Sequence, residues 1–319
     1  MEVFSLEIES SYLRDNPWKD PYRRKVVVLK AGEVDQAPGL LYLSGYFSTS
    51  LAQLNVDPIS ENMKERIERL VRNGSIRGVY LILPDTFTIF GGNQYLDSKI
   101  AGLYESFIMR ELIPEMRDRF QISDFAVMGK SSGGYGALQL GSKYDFKGLA
   151  VHSPDVYFEY AYLPLFPKVI QTLRRVGNPR QYVEFYWSQQ DRKKRDLMDA
   201  LMIVGLSAFY SPGEDLMLPF DLETGKIDDE VWNHWLSLDP VRFLPERKDK
   251  LRGKHIYIDV GTKDEFHLQY GTRMVHKMLS SWDIQHLYEE FQGGHMNTSF
   301  RYDISLAYII NSINRNGQI

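Results

Sequence analysis

Cysteine is absent from this 319-residue chain, which excludes disulfides, thiolate nucleophiles and cysteine-bound metals and says little about compartment. No apolar run approaches the roughly 18 residues of a membrane span, so none is expected. The formal net charge of −4 gives no ground for nucleic acid or an anionic membrane as partner. Residues 1–10 are acidic and alternating, without a basic start or a long apolar stretch. They therefore do not read as a secretory signal, and a cytoplasmic protein is expected, although a cleaved leader would leave no trace. Internal repeats, low-complexity tracts and metal-ligand clusters are lacking too, and neither a metal nor an organic cofactor is implied. What remains is an ordinary globular composition, 43% hydrophobic and 25% charged. The length is at the upper end for one core, so one α/β domain with an insertion fits as well as two domains.

Periodicity supplies the organisation. Short strands are expected at residues 3–8, 23–30, 39–43, 78–83, 125–128, 148–152, 255–260 and 286–291. Helical patterns cover 59–72, 99–120 (bent by Pro114), 266–281 and 299–313. The last presents Phe300, Ile304, Ala307, Tyr308 and Ile310 as an apolar face. Strands alternating with helices mean a mostly parallel sheet with right-handed crossovers. Residues 153–239 interrupt this order with helical patches and no convincing strand. The expected organisation is a core of 1–152 and 240–319 with a helical insertion at 153–239.

The most informative stretch is residues 125–137, an apolar strand turning sharply into a small-residue helix through Gly129-Lys130-Ser131-Ser132-Gly133. This G-x-S-x-G spacing is that of a nucleophile elbow. A serine at the tip of a strained strand-to-helix turn projects its hydroxyl away from the sheet. The backbone N–H groups that follow, at a helix N-terminus, face a developing oxyanion. Gly129 and Gly133 leave room where a side chain would collide with a neighbouring strand. A lysine beside the serine, Lys130, could tune the site, but a side chain at that position more often points elsewhere.

A serine nucleophile needs a base and an orienter, in the chain order Ser…Asp/Glu…His. The strand at 255–260 ends in Gly261-Thr262-Lys263-Asp264-Glu265, and the strand at 286–291 ends in Gln292-Gly293-Gly294-His295. Chemistry in open α/β sheets collects beyond the carboxyl ends of strands, where Ser131, Asp264 and His295 all fall. Of seven histidines, His295 alone follows two glycines after the last apolar strand. His152 reads as a strand-end packing residue, and the other five as solvated or structural. Asp264 is favoured over Asp259, inside its strand and facing a helix, and over Glu265, which reads as opening the next helix. The second oxyanion amide should come from Ser44-Gly45-Tyr46-Phe47 after the strand at 39–43. The backbone N–H groups of Tyr46 and Ser132 are the candidates.

Secondary candidates line the expected pocket. Asn93, Gln94 and Tyr95 could hydrogen-bond a substrate oxygen, or Gly91-Gly92 could simply turn while Asp97 or Ser98 caps a helix. Aromatics crowd the insertion, Tyr157 and Trp187 among them. Some of these could wall the substrate while most fill the insertion's own core. The run Arg192-Lys193-Lys194-Arg195 reads as solvated. Asp155, after Ser153-Pro154, reads as a turn residue, with a pocket-facing role as the alternative.

These residues carry a resemblance. Leu43-Ser44-Gly45-Tyr46, the stretch from Phe90 through Gly91, Gly92, Asn93, Gln94, Tyr95 and Leu96 to Asp97-Ser98, the elbow with Gly134-Tyr135-Gly136, Gly261-Thr262-Lys263-Asp264-Glu265-Phe266 and Gly293-Gly294-His295 resemble an esterase family of α/β-hydrolases. That family holds esterase D (S-formylglutathione hydrolase), mycolyltransferases, feruloyl and acetylxylan esterases, and enterochelin-esterase-like proteins. The similarity spans residues 20–312, and the 91–98 stretch with Arg301-Tyr302-Asp303 is most like the enterochelin-esterase-like branch. The chain lacks the Ser-Pro-Arg-Gly run after Pro84-Asp85 associated with S-formylglutathione hydrolases. The resemblance implies an α/β-hydrolase fold with residues 153–239 as a cap over the strand ends. It also places nucleophile, acid and base on Ser131, Asp264 and His295, and the oxyanion amides on Tyr46 and Ser132. The implied activity is a serine carboxylic-ester hydrolase that forms an acyl-enzyme on short-chain or natural-product esters. Its partner would be a small-molecule ester, with a homodimer as the candidate assembly. An acyltransferase would use the same triad, and a non-catalytic binding module could use the same scaffold. The presence of all three triad residue types favours an enzyme.

Overall fold

The structure is a computed structural model and describes residues 1–33, 35 and 37–316. Two antiparallel strands open the chain, β1 (Glu2–Glu9) and β2 (Arg23–Gly32). As an edge strand, β1 alternates exposed and half-buried residues. Ion pairs tie its ends to its neighbour, Glu2 to Lys30 at 2.8 Å and Glu9 to Arg23 at 2.7 Å. Next come β3 (Gly39–Leu43), α1 (Met63–Arg72) and β4 (Gly78–Pro84). A small hairpin of β5 (Asp97–Ser98) and β6 (Gly102–Leu103) leads into α2 (Tyr104–Phe107) and α3 (Ile113–Phe120). Then follow β7 (Phe125–Lys130), α4 (Ser132–Gly141) and β8 (Gly148–His152).

Six helices precede the next strand: α5 (Phe158–Ala161), α6 (Phe166–Arg174), α7 (Pro179–Ser188), α8 (Arg195–Tyr210), α9 (Asp229–Ser237) and α10 (Pro240–Leu251). The chain finishes with β9 (His255–Gly261), α11 (Leu268–Ser281), β10 (Leu287–Phe291) and α12 (Tyr302–Asn316).

The sheet runs β1-β2-β4-β3-β7-β8-β9-β10, antiparallel through β4 and parallel from there on. Helices cover both faces, so β3, β4 and β8 are buried at every residue, as parallel central strands must be. One face packs on α1 and α12 through Met63, Ile67, Leu70, Leu306, Ile309 and Ile310. The larger core, on the other face, takes in α2, α4, α10, α11 and the helices between β8 and β9. This is the expected α/β-hydrolase fold.

Three boundaries differ from the sequence expectation for local reasons. α1 starts at Met63 rather than 59 because Asn62 and Glu65 form a reciprocal capping box. The span expected as one helix from 99 begins with the hairpin, and its helical part is carried past Pro114 by a π-helical turn at Ile108–Leu112. In α12 the buried face is Tyr302, Leu306, Ile309, Ile310 and Ile313, whereas Phe300 and Ile304 are exposed. A 3₁₀ turn at Ser299–Arg301 rotates the helix away from the register read from sequence. Asp303, on the turned face, instead takes ion pairs from Arg66 and Arg69 of α1.

This register is testable. Ile310→Ala, at a fully buried position, should cost about 2–4 kcal/mol in urea unfolding, whereas Ile304→Ala should cost less than about 1 kcal/mol.

Candidate active site

β7 delivers Ser131 to the start of α4 with φ 58° and ψ −123°, a conformation that only surrounding structure can impose on a residue with a side chain. The Ser131 N–H donates to the carbonyl of His152 at the end of β8 (3.0 Å), and the Tyr135 N–H donates back to the Ser131 carbonyl (2.9 Å). Glycine is required on either side: a Cβ on Gly129 would fall 2.0 Å from the Gly133 carbonyl oxygen, and one on Gly133 would fall 2.0 Å from the Leu43 carbonyl oxygen.

The loop after β3 lies against this elbow. A Cβ on Gly45 would meet the Lys130 carbonyl oxygen at 3.0 Å and Ser131 Cβ at 3.2 Å. Gly91 and Gly92 hold that loop: the Phe47 N–H donates to the Gly91 carbonyl (2.7 Å), and the Tyr46 ring fills the space a Gly92 side chain would need. The 91–98 loop is therefore a support beneath the Tyr46 segment more than a rim. Asn93 is buried within it, its amide donating to the Thr86 carbonyl and its carbonyl accepting from the Tyr95 N–H. Tyr95 is also buried, its hydroxyl donating to the Ser44 carbonyl at 2.6 Å. Neither lines the cavity above Ser131. Gln94 reaches the site from behind, its amide donating to Ser132 Oγ at 3.1 Å.

Asp264 and His295 meet as their strand ends predict. Asp264 Oδ2 lies 2.7 Å from His295 Nδ1, both side chains buried. The two loops are locked together, with the Thr262 N–H on the Phe291 carbonyl and the Lys263 N–H on the Gly293 carbonyl, each 2.9 Å. Phe266 sets its ring edge-on to the imidazole, with centroids 4.9 Å apart. Glu265 does not open the next helix, which begins at Leu268; its carboxylate accepts the His295 backbone N–H at 2.5 Å. Sequence reasoning missed this, because the contact joins two loops 30 residues apart.

Ser131 and His295 face one cavity of about 690 Å³, shared with Gly45, Tyr46, Lys130 and Asp155. The Ser131 hydroxyl donates to Asp155 Oδ1 at 3.2 Å and makes no hydrogen bond to His295 among the described residues. Asp155 is thus a pocket residue, not only a turn residue. Burial raises its carboxyl above the usual carboxylate range, against hydrogen bonds from Ser132 and Tyr162. Lys130 lines the cavity as well, instead of pointing elsewhere, and burial lowers its ammonium below the usual lysine range.

The wall from the insertion differs from expectation. Trp187 turns away, its indole N–H donating to the Ile89 carbonyl at 2.7 Å, and Tyr157 packs on Tyr160. Neither lines the cavity. The aromatics mostly pack on one another, Phe166 with Phe220, Trp232 and Trp235 for example. Tyr162, Ala161, Met198 and Met202 form the wall in their place. Arg195, from the basic run expected to be solvated, also lines the cavity, paired with Asp199 at 2.7 Å and lying 4.7 Å over the Phe266 ring.

Behind the elbow lies a second, buried serine–histidine–aspartate set. His152 bonds Asp259 through Nδ1 (2.8 Å) and Ser305 through Nε2 (2.9 Å), and all three are buried. Tyr257 and Arg301 also donate to Asp259, at 2.8 and 3.1 Å. Burial pushes the Asp259 carboxyl up, but His152, Tyr257 and Arg301 more than offset it, holding it below its ordinary value.

With this geometry in view, the comparisons with known proteins fit together. A family model described as "Putative esterase" matches residues 93–309, and the chain belongs to that family of carboxylesterase-type α/β-hydrolases. Solved structures with the same fold include a ferulic acid esterase (16% identity, TM-score 0.60, 98% of each chain covered). An S-formylglutathione hydrolase from Agrobacterium tumefaciens is similar at 17% identity and TM-score 0.59, over 97% of this chain and 95% of that one. A fluorophosphonate-binding serine hydrolase from Staphylococcus aureus is similar at 15% identity and TM-score 0.57, over 98% of each chain. No curated protein sequence matches. Among the described residues no helix is long and apolar enough to cross a membrane, and no group of three or more His, Asp or Glu residues could hold a metal ion.

The buried set behind the elbow generates a prediction. Asp259→Asn leaves Arg301 and His152 short of their acceptor and should destabilise the fold by about 3–5 kcal/mol at pH 7 in urea unfolding. Because the folded carboxyl is held below its unfolded value, its contribution is complete above the unfolded pKa near 4 and is lost as pH falls through the folded pKa. The difference between the two proteins should therefore narrow below about pH 4.

Proposed function

We propose that the protein is a serine carboxylic-ester hydrolase with Ser131 as nucleophile, His295 as general base and acid, and Asp264 as the residue that orients the imidazole. The observation that carries this reading is the convergence of Ser131 and His295 on one cavity while Asp264 holds His295 Nδ1 at 2.7 Å. With Nδ1 occupied by the carboxylate, Nε2 is the nitrogen free to take the serine proton. A rotation of the serine side chain from Asp155 toward His295 brings the hydroxyl to that nitrogen. Attack on the ester carbonyl then places the oxyanion between the backbone N–H groups of Tyr46 and Ser132, whose segments close on Ser131 from either side. The alcohol leaves with the proton from His295, and water activated by the same ring releases the acid.

Substrates are acyl esters small enough for a cavity of about 690 Å³ with an apolar wall of Met198, Met202 and Leu268. Ser131→Ala should lower kcat on a p-nitrophenyl ester by about 10³–10⁶, and Asp264→Asn by about 10³–10⁴, with circular dichroism unchanged. Retained turnover in a folded Ser131→Ala protein refutes the assignment.

A further inference from the structure

Among the described residues five side-chain carboxylates are buried, and four are bonded to a cationic side chain or an imidazole: Glu105 with Lys143, Asp239 with Arg242, Asp259 with His152 and Arg301, and Asp264 with His295. Asp155 has no such bond, and among the described residues the only cationic or imidazole group acting on it is His295 of the same cavity, which partly offsets its burial. It is 7% exposed, and it accepts from Ser131 Oγ (3.2 Å), Ser132 Oγ (2.9 Å), Tyr162 Oη (2.9 Å) and the Gln94 amide (3.5 Å), all neutral. Among the described residues no lysine or arginine is paired with it. Buried charges are ordinarily paired, because hydrogen bonds from neutral groups only partly replace the lost hydration. This one lines the cavity beside the nucleophile, where a ligand can reach it.

We propose that the site selects acyl esters whose acyl group carries an ammonium close to the carbonyl, with Asp155 as its counter-charge. The inference rests on the reading of Ser131 as nucleophile and names the substrate class of that site. Distance fixes the position of the cation. A carbonyl carbon poised for attack lies about 3–3.5 Å from Ser131 Oγ; that oxygen is 3.2 Å from Asp155 Oδ1 before the serine turns toward His295, and a change of rotamer displaces it by only about 2–2.5 Å. An N–H···O bond of about 2.8 Å then places the nitrogen on the first or second carbon beyond the carbonyl.

The surroundings agree. Among the described residues Gln94 Oε1 and Tyr46 Oη are buried without a hydrogen-bond partner, and Asp155 is close enough to Tyr46 to raise its phenol further, after burial itself. An ammonium brings three donors and no acceptor, which suits a region rich in oxygen. The cavity's own cations are engaged elsewhere. Arg195 is bound to Asp199, and the charges acting on Lys130 are Asp264, Asp259 and Glu265. With a neutral acyl chain, the carboxylate beside the forming oxyanion, offset only by His295, opposes the reaction; an ammonium cancels that opposition and adds a charge-assisted bond.

The test uses two p-nitrophenyl esters of equal shape, the 3-aminopropanoate and the butanoate, with kcat/KM at pH 7 divided by the uncatalysed rate of each. The wild-type protein should favour the aminopropanoate by about ten- to a hundredfold, and Asp155→Asn should bring the ratio close to one. Equal or better turnover of the butanoate by the wild type overturns the proposal, and that comparison needs no variant. An ammonium preference that survives in Asp155→Asn overturns it too. Fluorophosphonate labelling separates the two readings. A labelled enzyme that favours butanoate sinks only the substrate class, whereas a protein neither labelled nor active on either ester sinks the nucleophile assignment with it.

Discussion

The backbone of Ser131 is held at φ 58° and ψ −123°, and the site is arranged around keeping it there. Such a conformation costs on the order of 1–3 kcal/mol and persists only where neighbours over-determine it. Here they do so from three directions. Gly133 allows α4 to start against the Leu43 carbonyl, Gly45 allows the loop after β3 to touch the serine, and the His152 carbonyl accepts the Ser131 N–H. That carbonyl is fixed in turn, because the His152 ring is pinned between Asp259 and Ser305, and the Asp259 carbonyl takes the Ser153 N–H at 2.8 Å. The buried network thus connects β8, β9 and α12 to Ser131 through residues that do not line the cavity.

The parts of this arrangement that were legible in the sequence are those in which local backbone demands dictate residue type. The elbow needs glycine at 129 and 133 because backbone atoms approach within bonding distances of where a Cβ would lie. The strand ends at Gly261 and Phe291 put Asp264 and His295 on the same rim by sheet topology alone. What depended on side-chain direction was less readable. Trp187 and Tyr157 belong to an aromatic-rich segment whose members could face either a cavity or each other, and most of them pack on one another. Phe300 and Ile304 fit a helical period, but a 3₁₀ turn shifted that period by part of a turn. Glu265 and Asp155 act through partners far away in sequence, and nothing in their immediate neighbours announces it.

The cavity combines an apolar wall with an unusually charged floor. Lys130 and Arg195 stand against Asp155, Asp199 and Glu265 around it. Most of these charges are spent on the protein itself: Arg195 with Asp199, and Glu265 on the His295 backbone. The carboxylate left over is Asp155, beside Ser131. In a low-dielectric cleft a single charge can outweigh many apolar contacts. The wall also carries Met198 and Met202, whose side chains are flexible and polarizable.

The central claim is that Ser131 is the nucleophile, facing His295 and two backbone donors. A crystal structure of the protein after reaction with an alkyl fluorophosphonate tests it most directly. The account predicts phosphorus bonded to Ser131 Oγ, the phosphoryl oxygen about 2.7–3.1 Å from the N–H groups of both Tyr46 and Ser132, and His295 within hydrogen-bond reach of the adduct. Phosphorus on another residue, or a phosphoryl oxygen pointing away from both amides, would contradict it.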